Sequence, residues 1–358
     1  MACSILHYPI YQKINYIKFN MSQKRIEFID LAKGICIILV VLGHCGAPIN
    51  IPGFEIVRMP LYFILSGLFF KDYGGGYNFF IRKTNKILIP FIFFYLLGCM
   101  AYYGIKFFAP QLLTTSAGGI LDVFNNRQFF NGPIWFLLCL FWCNIIFCQI
   151  TIHIKREWLR IITVIALGVS GLFLGRSGIF IPLFIDVAFT ALPFFAFGYY
   201  LKKSDILYPN RYDRYNILFA MAFWGIAYIL TITTDYRLSL HYNVLEGWST
   251  YFISITSVFA ILFLCKSIKH IPFISYVGRY SIVLLCVHHM IYRPLMVLMP
   301  KTGIEILSSN WSIAIITLLL SAACIPVCKR LIPWFVAQKD LIKLPQKEAN
   351  EKRQKVLD

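Results

Sequence analysis

Long apolar runs alternate with short polar segments along this chain, near residues 29–49, 57–71, 87–108, 133–152, 159–175, 179–201, 215–233, 245–265, 273–298 and 312–332. A hydrocarbon core of about 30 Å takes about 20 helical residues to cross. Some runs are short, and Pro60, Pro182, Pro193 and Pro294 interrupt others. Within lipid every backbone polar group must be paired inside its own segment, which selects helices. The pattern therefore predicts an all-α, polytopic membrane helical bundle with about ten transmembrane helices. The polar spacers carry a second signal. With the N-terminus inside, segments 1–33, 71–86, 155–160, 202–214, 266–279 and 329–358 hold 27 of the 34 Lys and Arg residues. The intervening segments hold only Arg58, Lys106, Arg127, Arg176, Arg237, Arg293 and Lys301. That bias predicts both termini in the cytoplasm and residence in the plasma (inner) membrane, multi-pass.

Composition agrees: 59% of the 358 residues are hydrophobic and 14% charged, which excludes a soluble two-domain enzyme. The net charge of +18 would suggest nucleic acid in a soluble protein. Here it is carried by the segments between apolar runs, so no nucleic-acid partner is expected. The 11 cysteines form no CxxC pair and mostly sit inside apolar runs, so they read as small buried hydrophobes, with no metal site. Residues 1–24 read as a cytoplasmic extension. Lys13 and Lys18 break any signal-peptide core, and Met21 opens an alternative start. Residues 25–335 form the membrane domain and 336–358 a charged cytoplasmic tail.

The first apolar run is bounded by Asp30 and Lys33 at one end and His44 at the other. At about 100° per residue, Lys33 returns to within roughly 20° of His44, and Asp30 to within roughly 40°. The three share one helix face, with Lys33 and His44 about 16 Å apart along the axis. Polar groups at membrane depth face a bundle interior or a water-filled cavity, so this face is expected to line a pocket. The alternative is a snorkelling Lys33 and a His44 that caps the outer end. Asp30 is too far along the helix to orient His44 as in a Ser-His-Asp triad. Asp186, within an apolar run, is a further pocket candidate paired with Arg58 or Arg176.

These residues resemble the acyltransferase 3 family of integral-membrane acyltransferases. That family's first helix carries a basic residue, ten intervening residues and a histidine, as Lys33 and His44 do. Its Met-Pro-aromatic-Ser-Gly pattern is similar to Arg58-Met59-Pro60-Leu61-Tyr62-Phe63-Ile64-Leu65-Ser66-Gly67. The basic cluster Arg82-Lys83-Thr84-Asn85-Lys86 ahead of Pro90, the stretch Pro133-Ile134-Trp135-Phe136-Leu137, and Gly278-Arg279-Tyr280-Ser281 with His288 resemble later landmarks. Lys33 and Lys86 stand where arginine is commoner, which removes bidentate anion binding. No soluble hydrolase-like domain is appended, so transfer would be completed by the membrane domain or a separate partner.

The resemblance implies transfer of an acetyl or other acyl group from acyl-CoA, most simply acetyl-CoA, to a hydroxyl of a cell-surface carbohydrate or its lipid-linked precursor. His44 would be the general base, because a neutral imidazole accepts a proton near physiological pH. Lys33, Arg82, Lys83 and Lys86 could hold the CoA phosphates, although a basic inner loop is also what topology alone produces. Ser66 falls within the implied site. His288 could contact the acceptor or serve as a core histidine, and His289 points to a different face. Trp135 could stack on a sugar ring or anchor at the interface. Arg58 and Asp30 complete the candidates. Gly74-Gly75-Gly76 reads as a connector. The rival functions are a secondary transporter or polysaccharide flippase, and a non-enzymatic membrane partner. Expected partners are the acyl donor, the glycan acceptor and membrane lipids.

Overall fold

The computed structural model describes residues 26–344 apart from residues 48, 54, 114–117, 126, 205–211 and 248. The expected extension 1–24, with Met21, and the tail beyond residue 344 lie outside the described residues. The helices are α1 (Glu27–His44), α2 (Arg58–Leu68), α3 (Gly76–Phe108), α4 (Trp135–His153), α5 (Glu157–Arg176) and α6 (Ile185–Leu201). After α7 (Asn216–Thr233), an antiparallel hairpin of β1 (Arg237–Ser239) and β2 (Val244–Glu246) leads into α8 (Thr250–Ile268). The chain closes with α9 (Pro272–Arg279), α10 (Ser281–Leu298) and α11 (Asn310–Leu331).

Among the described residues, 8 helices are long and apolar enough to cross a membrane, namely α3 to α8, α10 and α11. This is an all-α membrane protein. The two helices outside that set matter most for the site. α1 has 18 residues but carries Glu27, Asp30 and Lys33, and α2 has only 11, about 16 Å of rise. Both lie in the interior. α1 packs against α2, α8, α9, α10 and α11, and α2 packs chiefly on α6. A helix with three charges persists at membrane depth because its neighbours are protein rather than lipid. α5 and α7 form the rim, with 17% of their apolar windows buried against 67% for α4.

Small residues let the interior helices touch. A Cβ on Gly34 of α1 would strike the Ile274 carbonyl of α9, and one on Gly278 of α9 would strike the Asp30 carbonyl of α1. This reciprocal contact of backbones, the membrane small-residue packing mode, fixes α1 against the short α9.

Three expected boundaries shift. The run 273–298 is two helices, because Pro272 opens α9 and the chain bends at Tyr280 before α10. The run 245–265 begins with strand β2 rather than helix. The basic stretch 82–86, expected as a loop, is helical and continuous with the following span. Gly74 and Gly75, with φ of 78° and 146°, make the turn that starts it. Residues Thr84–Leu88 widen into a π-turn in which the Ile89 N–H reaches the Thr84 carbonyl. Pro90 explains it: the proline ring clashes with the carbonyl four residues back, at Lys86, and one wider turn relieves that.

Beyond α11 the chain folds back across this π-turn as a strap. Phe335 stacks on Phe93 at 4.1 Å, and Val336 is fully buried. The Asn85 side chain donates to the Ile342 carbonyl at 2.8 Å and accepts from the Leu341 and Ile342 N–H groups. Residues 336–342, expected as the start of a charged tail, are thus packed against α3.

Candidate active site

Two cavities lie end to end along one face of α1. Lys33 and Ile37 line the first, while Val40, Gly43 and His44 line the second. Steps of four, three and four residues keep Lys33, Ile37, Val40 and His44 on one face, as the sequence spacing predicts, with Gly43 at its edge.

The first, or lysine, cavity has a volume of about 280 Å³. Its wall is mostly apolar, from Tyr62 and Leu65 of α2, Phe136 and Leu140 of α4 and Leu285 of α10, and it brings Lys33 together with Lys83 and Lys86. Ser66 lines it and accepts from the buried Asn144 amide at 3.3 Å. Ser281, at the start of α10, also lines it. The Lys86 ammonium is already engaged by the strap, at 2.9 Å from Asp340 and 3.0 Å from the Ala337 carbonyl. Arg82 is not brought to this cavity; its guanidinium lies 4.7 Å over the Tyr73 ring. Asp30 is buried in the first turn of α1 and lines neither cavity.

The second, or histidine, cavity has a volume of about 320 Å³ and is bounded by α1, the start of α2, Trp135 and the hairpin. His44 opens into it and is exposed there. Among the described residues neither His44 ring nitrogen is committed to a hydrogen bond. Arg58 lies beside it, its guanidinium against Gly43 and its Nε donating to the Glu55 carbonyl at 2.9 Å. Behind His44 stand His288 and His289, with ring centroids 5.4 and 5.7 Å away. His288 is fully buried, pairs through Nδ1 with the Leu284 carbonyl at 2.7 Å and lines neither cavity. His289, which helical spacing turned elsewhere, is drawn in because its Nδ1 meets the Phe130 carbonyl at 3.1 Å.

The hairpin's part in the site has no signal in the pattern of residues along the chain. His241 stacks on Trp135 at 5.5 Å and Tyr242 on His241 at 4.8 Å, and both line the histidine cavity. His241 Nε2 meets the Arg127 carbonyl at 2.9 Å. Burial pushes this imidazole below its ordinary pKa; the nearby Arg127 charge acts in the same sense and the carbonyl contact opposes it.

Asp186 lies outside both cavities, and its partner is neither Arg58 nor Arg176. Arg127 reaches it at 2.6 Å, with both side chains buried, and Asn243 donates to its other oxygen at 2.9 Å. Asn243 also donates to the Gly171 carbonyl and accepts from Thr190. The pair therefore ties the hairpin to α5 and α6 and sets the roof of the histidine cavity. Arg127→Ala leaves a buried carboxylate uncompensated, so a loss of about 3–5 kcal/mol is expected in thermal or denaturant unfolding of the purified protein. The double change Arg127→Met with Asp186→Leu is expected to recover most of it.

A family model described as an acyltransferase domain, that of acyltransferase 3, matches residues 26–330, and the chain belongs to that family. It is a membrane acyltransferase. No curated protein and no solved structure matches the chain.

Proposed function

We propose that this protein transfers an acetyl group from acetyl-CoA to a hydroxyl of a cell-surface carbohydrate or its lipid-linked precursor. The observation that carries the reading is the pair of cavities along α1, one lined by three lysines and the other by an accessible imidazole, with Met59 lining both. Lys33, Lys83 and Lys86 hold the CoA phosphates by charge-assisted contacts. The pantetheine arm lies along the apolar wall, and the roughly 16 Å from Lys33 to His44 suits its extended length. His44 removes the acceptor hydroxyl proton as the oxygen attacks the thioester carbonyl. The tetrahedral adduct expels the CoA thiolate, which takes the proton back from His44, so the base is restored. Arg58, beside His44, offers positive charge to the developing oxyanion.

In this arrangement both termini are cytoplasmic in the plasma membrane. α1 crosses embedded in protein and the chain returns through α2 together with the turn Glu55–Val57 that precedes it and the residues that follow it, so that these two segments join the 8 apolar helices and give ten. The donor enters from the cytoplasm and the acceptor from the other face. The deciding experiment supplies purified protein with radiolabelled acetyl-CoA and a glycan extract of its own envelope. Acceptor-dependent release of CoA with label on the glycan supports the proposal. Glycan movement across proteoliposomes without CoA release would replace it with the transporter reading.

A further inference from the structure

The hairpin turn carries a ladder of rings that ends in open space. Trp135 is 6% exposed and is flanked by His241 at 28° and Phe184 at 35°. At that exposure Trp135 offers almost no open ring surface to a ligand. His241 continues the ladder, and Tyr242 lies on His241 at 4.8 Å and 8° while remaining 61% exposed. Among the described residues no further ring covers Tyr242. Its position is rigid because the next residue, Asn243, is buried in a left-handed conformation and bonded to Gly171, Asp186 and Thr190. Glu55, Arg58 and His44 share its cavity, so charged and hydrogen-bonding groups flank the ring.

We propose that Tyr242 is the platform on which a pyranose ring of the acceptor docks, the C–H face of the sugar against the phenol ring and its hydroxyl edge toward Glu55, Arg58 and His44. An amphipathic ligand needs one apolar face and a few convergent polar groups, and this cavity supplies both. The inference deepens the acyl-transfer reading and rests on it for the identity of the acceptor. An exposed tyrosine at a membrane interface is otherwise a lipid anchor, and binding separates the two. Purified full-length protein is examined by saturation-transfer NMR with methyl β-glucopyranoside, methyl N-acetyl-β-glucosaminide and glycerol, without donor. Saturation is expected on the ring C–H protons of at least one pyranoside and not on glycerol. Tyr242→Ala should weaken that binding about three- to tenfold, and Tyr242→Trp should restore it. No pyranoside binding by the wild type, or unchanged binding by Tyr242→Ala, overturns the platform. Pyranoside binding that depends on Tyr242 without any acetyl transfer would leave the platform standing and remove the transfer reading instead.

An independent observation concerns the strap. It lies beyond the residues matched by the family model, which end at 330, yet its Asp340 carboxylate sits on Lys86, a wall residue of the lysine cavity. We infer that the strap is an autoinhibitory latch in which Asp340 competes with a donor phosphate for the Lys86 ammonium. The pair is half exposed, with 45% accessibility on each side, so its hold is weak and a phosphate can displace it. Removing the competitor should therefore tighten donor binding. For radiolabelled acetyl-CoA, Asp340→Asn is expected to lower Kd by about two- to fivefold, whereas Lys86→Gln raises it. The double variant should match Lys86→Gln alone. Weakened donor binding in Lys86→Gln, with no tightening in Asp340→Asn, overturns the latch and keeps the donor site. No effect of Lys86→Gln on Kd overturns both.

Discussion

Replacing His44 with alanine is expected to lower acetyl transfer by about 10²- to 10⁴-fold, the usual consequence of losing a general base. The protein should still fold. His44 is exposed in its cavity and makes no hydrogen bond among the described residues, so its removal leaves no buried partner unpaired. His288 and His289 stand 5.4 and 5.7 Å from it but are tied to backbone carbonyls, which keeps them from taking over. The check is the initial rate of label transfer from acetyl-CoA, with monodispersity in detergent and the unfolding midpoint measured on the same preparation. A stable His44→Ala protein with wild-type rates would falsify the assignment of the base. Loss of rate with unchanged donor Kd would locate the defect in the chemical step.

The second large effect concerns where positive charge sits. The double variant Lys83→Gln, Lys86→Gln is expected to weaken acetyl-CoA binding by at least about one decade and up to about four. Charge-assisted contacts contribute about 1.5–3 kcal/mol each, and a decade is about 1.4 kcal/mol. The lower end allows for the Asp340 contact that Lys86 gives up on binding. The double variant Lys71→Gln, Arg82→Gln is the control with equal charge loss, because neither residue lines the cavity and the Arg82 guanidinium lies over Tyr73. Equilibrium binding on detergent-purified protein decides between the two. Equal weakening in both variants would show that the segment acts through net charge alone, as a topological signal does.

Much of this was legible in the chain. The face of α1 could be read because 3.6-residue periodicity is local, so Lys33 and His44 needed no tertiary information to be placed together. The apolar runs were legible because lipid imposes the same demand on every span. What failed was non-local. Hydropathy along 273–298 is continuous, and only the packing of Gly278 onto α1 and the bend at Tyr280 divide it. The charged stretch 82–86 read as a loop because charge interrupts an apolar run, although Arg82, Lys83 and Lys86 form helix readily and Pro90 widens the turn rather than ending it. Asp186 announced that it needed a partner, and the choice of Arg127 over Arg58 or Arg176 came from chain geometry that spacing does not encode. The Trp135, His241 and Tyr242 ladder joins residues more than a hundred positions apart, with no periodic pattern to connect them.

Met59 is the one residue, among those described, that lines both cavities. An enzyme that takes one substrate from each side of a bilayer is in danger of becoming a pore, and a pore of any width short-circuits the ion gradients on which the cell runs. Roughly 280 and 320 Å³ of empty space would join into such a path if the wall between them were missing. A thioether side chain suits that position. It is apolar enough to break a chain of water molecules, and its unbranched stem, with three rotatable bonds, can fold aside for an acyl thioester and return behind it. In the proposed reaction the requirement at Met59 is therefore electrical as well as chemical: two compartments held at different potentials would meet at a side chain that must yield to an acyl group and not to a proton.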